Sequence, residues 1–318
     1  MKITVLVPTY RRPADLARCL EALSRQERGA DEVIVVARAD DQESWHVLAP
    51  WRLKLPLVAI EVYAPGQVHA LNAGIQRATA ADIISITDDD AAPHPDWLSR
   101  IEAHFIRDPA IGGVGGRDWV HQGGGIEDDS RAVVGKVEWY GRVIGNHHLG
   151  VGEARYVDVL KGANMSYRTT AIAGLKFDES LRGTGAQVHN DLSFSLEVRR
   201  KGWKLLYDPL VAIDHYPAER FDEDKRATVH IPALTNATHN ETVALLRYLT
   251  PIQRPIFMGW ALLIGTRVAP GILQMLRLQI HRTPSVSIFW AVQAGRGAGW
   301  RTWRHAYKAG KGAHSSER

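Results

Sequence analysis

Short runs of apolar, largely β-branched residues alternate with helix-patterned segments along the first third of the chain. This alternation constrains the fold more than any other feature of the sequence. Each run contains at most one polar residue, which is typical of strands buried in a parallel sheet. Between the runs, apolar residues recur at three- to four-residue spacing, which predicts helices. The runs lie at residues 3–7, 33–36, 58–62 and 83–86.

Strands that alternate with helices pair in parallel through right-handed crossovers. We therefore predict an α/β fold with a Rossmann-like, mixed and mostly parallel sheet flanked by helices. Ligands of such folds bind beyond the carboxyl ends of the strands. The loops at residues 9–11 and 37–41 follow the first two strands, so we expect them at the same edge as the loop after residue 86.

Three consecutive aspartates, Asp88, Asp89 and Asp90, follow the fourth apolar run. Carboxylates crowded at the end of a buried strand repel one another and lose hydration, and a shared divalent cation offsets both costs. Mg²⁺ or Mn²⁺ bound in this way usually carries phosphate as a further ligand. The alternative is a solvated turn closed by Pro93 and Pro95, which turn statistics favour for an isolated acidic triplet.

The overall charge is only mildly basic, with a formal net charge of +4 and a pI near 9.2. Without a clustered basic face this argues against a nucleic-acid partner. The single cysteine, Cys19, falls on an apolar helical pattern, so we expect a small core residue. One cysteine forms no disulfide within a chain, which agrees with a reducing cytoplasm.

Three strings in the first hundred residues resemble the nucleotide-binding half of family 2 glycosyltransferases, which have the GT-A fold. They are VPTYRR at 7–12, PGQVHALNAGI at 65–75 and IISITDDDAAPHPDWL at 83–98. An apolar strand that ends in a DxD triplet is a weak signal alone. The same triplet between an ALNAG helix and a PxPDWL segment is fairly specific.

The resemblance implies roles for the residues that match the family motifs. Asp88 is implied to contact the ribose side of the nucleotide, and Asp90 to bind the metal on the sugar diphosphate. Pro8, Thr9 and Arg11 match the loop around the base and ribose.

Three more residues complete the expected nucleotide site: Arg38, Asn72 and Asp89. Ala37 stands where many members carry an aspartate that recognises uracil, so the identity of the nucleotide base stays open. A UDP-sugar is favoured. Gln67 replaces a lysine of the cellulose-synthase-like pattern, which removes one positive charge. For Asn72, a surface or packing role on its helix is the alternative.

Asp191 falls in the first turn of a predicted helix and matches the catalytic aspartate of the family's ED-type motif, with Asn190 in place of the usual glutamate. The resemblance implies that Asp191 is the catalytic base. From the residues alone, capping of the helix by Asn190 or Asp191 is the competing interpretation, because an acid is favourable in a first helical turn.

His215 resembles the histidine that returns to the cation in metal-dependent GT-A enzymes, and Arg220 follows as a candidate pyrophosphate partner. A lone histidine is more often a hydrogen-bonded structural residue, so both roles stay open for His215.

The pattern changes to helices after about residue 226. Residues 255–278 are almost long enough to cross a bilayer, but Arg267 would cost roughly 2.5 to 3.5 kcal/mol at its centre, and Pro270 and Gly271 interrupt the helix. Two short apolar helices at a membrane interface, or packed on a partner subunit in a homo-oligomer, fit better. Together with the basic and aromatic stretch at 296–311, this predicts attachment to an anionic membrane surface through residues 255–307.

These observations predict a metal-dependent, inverting glycosyltransferase that moves a sugar from a nucleoside-diphosphate sugar to an acceptor hydroxyl. The expected domains are a GT-A catalytic domain at 1–225, with halves at 1–117 and 118–225, and a helical region at 226–318. We expect a cytoplasmic protein, peripheral on the inner face of the cell membrane, with a saccharide or lipid-linked acceptor of envelope polysaccharide or glycolipid synthesis. The alternatives are a sugar nucleotidyltransferase, which normally opens with a glycine-rich phosphate loop, and a non-catalytic nucleotide-sugar-binding or scaffold protein.

Overall fold

The structure is a computed structural model that describes residues 1–122, 125–218, 230–280 and 285–315. Its contacts divide the chain into two compact units. The first unit comprises Met1–Val137, Val143–Phe177 and Phe194–Glu219, and the second comprises Glu138–Arg142, Asp178–Ser193 and Arg220–Arg318.

The first unit contains the strands. They are β1 Ile3–Thr9, β2 Glu32–Arg38, β3 Leu57–Val62, β4 Ile83–Ile86, β5 Ala91–Pro93, β6 Ile111–Gln122, β7 Gly125–Ile126, β8 Lys136–Val137, β9 Val143–Ile144, β10 Arg155–Val157, β11 Met165–Arg168 and β12 Lys204–His215. Its helices are α1 Pro13–Ser24, α2 Gln42–Trp51, α3 Gln67–Arg77, α4 Trp97–Arg107 and α5 Thr169–Ile172. Helix α6, Asn190–Arg200, begins in the second unit and continues in the first.

One mixed sheet forms the centre of the first unit, in the order β10-β12-β6-β11-β4-β1-β2-β3. The pairs β1–β2, β1–β4, β2–β3 and β6–β12 are parallel, whereas β11 runs antiparallel to both β4 and β6. The predicted α/β class with a mostly parallel sheet flanked by helices is confirmed. Strands β1, β2 and β4 end at one edge, where the loops at 9–11, 37–41 and 87–90 follow them.

Helices on both faces of the sheet explain why the strand segments are mostly apolar. Along β1, Val5 and Val7 belong to one buried cluster and Leu6 to the other. Helices α1 and α4 cover the first face, and α3 and α6 contribute to the second. Cys19 is fully buried on the inner face of α1, as predicted.

The segment at 204–215 stays extended although it contains Pro209. It is a single strand, β12, that pairs with β6 on both sides of an irregularity between Asp208 and Ile213. Pro209 has no amide hydrogen to donate to a ladder, so the strand bulges there instead of ending. A Cβ on Gly116 would lie 1.8 Å from the carbonyl oxygen of Val211, so the bulge requires glycine opposite it.

The second unit contains four further helices in its described part, α7 Ile231–Tyr248, α8 Gln253–Leu263, α9 Ile272–Ile280 and α10 Ser285–Ser315. Two short helices, α8 and α9, occupy the apolar stretch at 255–278, as expected. Helix α10 packs closely on α7, because Gly295 and Gly299 lie against Thr238 and Thr242. None of the helices in the described residues combines the length and apolar content needed to cross a membrane.

Candidate metal and nucleotide site

The aspartate triplet lies at the edge where β1, β2 and β4 end. After β4 the chain turns through Asp88 and Asp89 and then forms β5, which pairs antiparallel with the end of β12. In that register His215 lies opposite Ala91, next to Asp90. The Tyr216 amide donates to the carbonyl oxygen of Asp90, at 2.8 Å. The topology thus brings together an acid and a histidine that lie far apart in the sequence.

Asp88, Asp90 and His215 form a group that could hold a metal ion. One donor atom from each lies within 4.8 Å of the other two. Among the residues that the structure describes, Asp90 Oδ1 and both ring nitrogens of His215 are buried and make no hydrogen bond, although Asp90 Oδ1 and His215 Nε2 lie 3.3 Å apart. Buried polar atoms without a hydrogen bond are rare and need an explanation. Carboxylate oxygens and an imidazole nitrogen in this arrangement fit a divalent cation.

The environment of Asp90 favours its charged form. Burial raises the cost of ionisation, but His215, the Ala218 amide and Arg12 together hold the pKa of Asp90 below its usual range. The Ala218 amide donates to Asp90 Oδ2 at 3.0 Å. A carboxylate that stays ionised in a buried site is suited to binding a cation.

Asp89 turns away from this group and into the protein. It is 3% exposed, accepts a hydrogen bond of 2.8 Å from the Thr9 hydroxyl, and accepts one of 2.9 Å from Arg12. Burial raises the pKa of Asp89 above its usual value, and the positive charge of Arg12 opposes that shift. Thr9 and Asp89 therefore connect the end of β1 to the loop after β4.

Arg12 is a site residue that the sequence analysis missed. Its Nη1 lies 2.9 Å from Asp89 and 3.6 Å from Asp90, with 18% of the side chain exposed. Its neighbour Arg11, which was predicted to bind the nucleotide, has a φ of 56° and a side chain that is 52% exposed. The left-handed turn at Arg11 sends the next side chain inward, and no motif in the sequence signals that turn.

Replacing Arg12 with methionine is expected to lower the free energy of unfolding by about 3 kcal/mol, because two buried carboxylates lose their shared counter-charge. Urea unfolding in metal-free buffer measures this loss. Arg11→Met is the matched control, because the Arg11 side chain is half-exposed and makes surface contacts, an ion pair of 3.5 Å with Asp40 and a contact with the Tyr10 ring. We expect a change below about 0.5 kcal/mol. Equal losses in both variants would contradict a special role for Arg12.

A second group of polar residues lies at the ends of β1 and β2. The guanidinium groups of Arg11 and Arg38 lie 5.0 and 4.9 Å from the centre of the Tyr10 ring. Asp40 is bonded to Arg38 at 3.1 Å and lies 3.4 Å from the Tyr10 hydroxyl. Asp40 thus supplies a half-exposed carboxylate shortly after Ala37, which stands where many family members carry an aspartate. Its neighbour Asp41 instead caps α2.

Several of the predicted residues are held by the protein itself. Both ends of the Asn72 amide bond to the backbone of Phe177, at 3.0 and 2.8 Å. Gln67 donates a hydrogen bond of 3.1 Å to Asp88, so it orients that carboxylate without adding a charge. Pro8 is a buried residue of β1, paired with Val36 of β2.

A further charged pair, which the sequence analysis did not predict, lies near the same edge of the sheet. Asp118 of β6 is fully buried, and its Oδ2 lies 2.5 Å from the Lys161 ammonium group. The glycine-rich context of Asp118 gave no sign of a buried acid.

In the second unit, Asp191 lies in the first turn of α6, and its side chain accepts a hydrogen bond of 2.8 Å from the Leu192 amide. Asn190 bonds to the carbonyl oxygens of Ala186 and Gln187, so it secures the turn before the helix. Arg220, the candidate pyrophosphate partner, lies outside the described residues.

Comparisons with known proteins agree with this fold. A family model described as "Glycosyltransferase like family 2" matches residues 1–228. An amylovoran biosynthesis glycosyltransferase from Erwinia amylovora is 35% identical over 108 residues, which are 32% of this chain and 41% of that relative. The match therefore spans less than half of the relative's length.

Solved structures with the same fold include two nucleotide-sugar complexes. A mannosyltransferase from Pyrobaculum calidifontis in complex with GDP-Man and Mn²⁺ has a TM-score of 0.57 at 17% identity, over 95% of this chain and 86% of that one. S. aureus TarS 1–349 in complex with UDP-GlcNAc has a TM-score of 0.58 at 17% identity, over 98% and 92% of the two chains. At these identities the likeness shows the fold alone.

Proposed function

Because the chain belongs to the glycosyltransferase-like family 2, we propose that it transfers a sugar from a nucleoside-diphosphate sugar to an acceptor hydroxyl, with inversion at the anomeric carbon. The observation that carries this proposal is the group of Asp88, Asp90 and His215 at the ligand-binding edge of the sheet. Within it, one carboxylate oxygen of Asp90 and both ring nitrogens of His215 are buried and make no hydrogen bond with the described residues.

The first step is binding of the donor diphosphate. Asp90 and His215, with Asp88, would hold the divalent cation, Mg²⁺ or Mn²⁺. When bound, this cation neutralises the charge that develops on the diphosphate as the sugar leaves. Arg12 and Thr9 keep Asp89 and Asp90 in place. Asp88, held by Gln67, faces the ribose side in the same proposal.

The base is recognised by the loops that follow β1 and β2. Tyr10 offers a flat ring beside Arg11 and Arg38, and Asp40 offers a carboxylate. A carboxylate accepts a hydrogen bond from the ring N–H of uracil, and cytosine has no such donor. The Asp40 carboxylate therefore favours a UDP-sugar over a CDP-sugar.

Proton removal from the acceptor is assigned to Asp191. A hydroxyl is a poor nucleophile at neutral pH, so a carboxylate about 3 Å away must accept its proton as the new bond forms. Attack by this hydroxyl on the side of the anomeric carbon opposite the diphosphate inverts the configuration. Asp191 is the acid in the first turn of α6, where a carboxylate is favourable beside the positive end of the helix.

The acceptor in this proposal is a growing polysaccharide or a lipid-linked saccharide of envelope synthesis. The amylovoran biosynthesis relative supports the polysaccharide class. A lipid-linked acceptor would place the enzyme on the cytoplasmic face of the cell membrane.

A thermal-shift screen tests the proposed donor. UDP with Mn²⁺ at 100 times its dissociation constant is expected to stabilise the protein by about 2.7 kcal/mol, or a rise of several degrees in Tm. UDP without metal and CDP with metal should give much smaller shifts. Equal shifts for UDP and CDP would remove Asp40 from base recognition, and no shift with any nucleoside diphosphate would contradict the proposed function. Release of UDP from a UDP-sugar then separates an enzyme from a binding protein.

A further inference from the structure

The helical pair α8–α9 exposes an unusual amount of apolar surface. Seven aliphatic side chains between residues 262 and 280 are 44% to 80% exposed: Leu262, Leu263, Ile264, Val268, Leu273, Leu276 and Ile280. We call these seven residues the α8–α9 surface. Large exposed apolar surfaces on proteins mark sites that contact a membrane or another protein.

The two helices are clearly two-sided. Phe257 and Ala261 of α8 and Leu278 of α9 are buried, whereas the α8–α9 surface is open to solvent. On α9, the exposed residues Leu273, Leu276 and Ile280 recur at three- to four-residue spacing, which places them on one face. A helix with one packed face and one apolar exposed face is suited to lying in an interface rather than crossing it.

A tight turn joins the two helices and carries a positive charge at its tip. The Thr266 amide bonds to the carbonyl oxygen of Ala269 at 2.9 Å, and Gly265 has a φ of 67°. At the tip, Arg267 and Val268 are both exposed. A cation next to an exposed aliphatic residue matches the boundary between lipid headgroups and acyl chains.

The sequence around this surface contains no acid. Residues 242–316 include ten arginines and lysines and neither aspartate nor glutamate. The net charge of the whole chain is only +4, so the rest of the chain has more acids than bases. Two of these bases are paired, Arg247 with Asp178 and Arg296 with Glu241. Arg267 in the turn and Arg277 on α9 are exposed, so the α8–α9 surface carries positive charge. It would attract an anionic surface and repel a second copy of the same surface.

We propose that the α8–α9 surface docks on an anionic lipid bilayer, with its aliphatic side chains in the headgroup region and the basic residues against lipid phosphates. The inference is independent of the sugar-transfer chemistry, because it uses none of the residues of the metal and nucleotide site. Within residues 255–307, the proposal assigns the membrane contact to the α8–α9 surface.

Vesicle flotation with the full-length protein tests this proposal. The probes are vesicles of phosphatidylcholine alone and of phosphatidylcholine with 30% phosphatidylglycerol, each at low and at high salt. The variant Leu273→Asp/Ile280→Asp alters two exposed residues of the α8–α9 surface. The matched control, Leu53→Asp/Ile106→Asp, alters two aliphatic residues of the first unit that are 93% and 68% exposed.

We expect the wild type and the control to float with anionic vesicles at low salt, and binding of the Leu273→Asp/Ile280→Asp variant to fall at least tenfold. High salt should weaken wild-type binding, since screening removes the attraction to lipid phosphates. A melting temperature within about 2 °C of the wild type confirms that the variant is folded.

Equal binding to neutral and anionic vesicles, or an equal loss in both double variants, would overturn the proposal. Light scattering after gel filtration tests the alternative, in which a second copy of the chain covers the α8–α9 surface. A dimer that dissociates in the Leu273→Asp/Ile280→Asp variant, with no flotation of the wild type, would assign the α8–α9 surface to a second copy of the chain. None of these outcomes depends on a nucleotide, so the proposed function is tested separately.

Discussion

Asp191→Asn is expected to lower sugar transfer by about 10²- to 10⁴-fold while the affinity for the donor nucleotide stays within about twofold, because only proton transfer is lost. The substitution is conservative in structure. Asparagine keeps the side-chain oxygen that accepts the Leu192 amide hydrogen, so the first turn of α6 is expected to survive. Transfer is measured as UDP release that depends on the acceptor, and binding as the Mn²⁺-dependent thermal shift.

Glu197→Gln is the control for this experiment. Glu197 lies on the same helix and pairs with Arg200 at 3.3 Å on its partly exposed side, so the change removes an equal charge without touching the proposed base. Its turnover should stay near the wild-type value. Near-normal turnover in Asp191→Asn would remove Asp191 from the role of base, and loss of the thermal shift in that variant would indicate a structural role instead.

The order of strands and helices in the first unit followed from local chemistry. The runs at 3–7, 33–36 and 83–86 are almost wholly apolar because helices cover both faces of the sheet, and that burial leaves a pattern in the sequence. For the bulge in β12, the sign in the sequence is Pro209. Whether a proline ends a strand or bulges it depends on the neighbouring strand, and here Gly116 of β6 makes room.

The site was only partly predictable for a related reason. Arg11 and Arg12 are equivalent by sequence, and the left-handed turn at Arg11 decides which of them meets the aspartates. Asn72 was predicted to bind the nucleotide from the family motif, but the structure also gives its amide two bonds to Phe177, across 105 residues of sequence. Such long-range partners leave no periodicity or local motif to detect.

The metal group shows the same dependence on topology. Asp90 and His215 become neighbours because β5 pairs antiparallel with the end of β12. Periodicity in the sequence does not predict which strands pair. Only the family resemblance pointed to His215. Because Asp90 and His215 lie side by side, removing the charge of Asp90 is the most direct test of the proposed cation site.

Asp90→Asn is expected to reduce metal-dependent transfer by about 10³-fold, equivalent to about 4 kcal/mol of lost stabilisation. Asparagine keeps an oxygen that accepts the Ala218 amide hydrogen but removes the negative charge beside His215. Titration of Mn²⁺ in the presence of UDP measures the binding defect directly, without any need for an acceptor.

Asp15→Asn is the matched control, because Asp15 is a carboxylate of the first unit that pairs with Arg18 on the surface of α1 at 2.9 Å. Its Mn²⁺ titration should match that of the wild type. The strength of the comparison lies in the equal change in net charge, which cancels any general electrostatic effect on a cation. If both variants bind Mn²⁺ as the wild type does, then the unbonded atoms of Asp90 and His215 have another cause, and the proposed transfer loses its principal support.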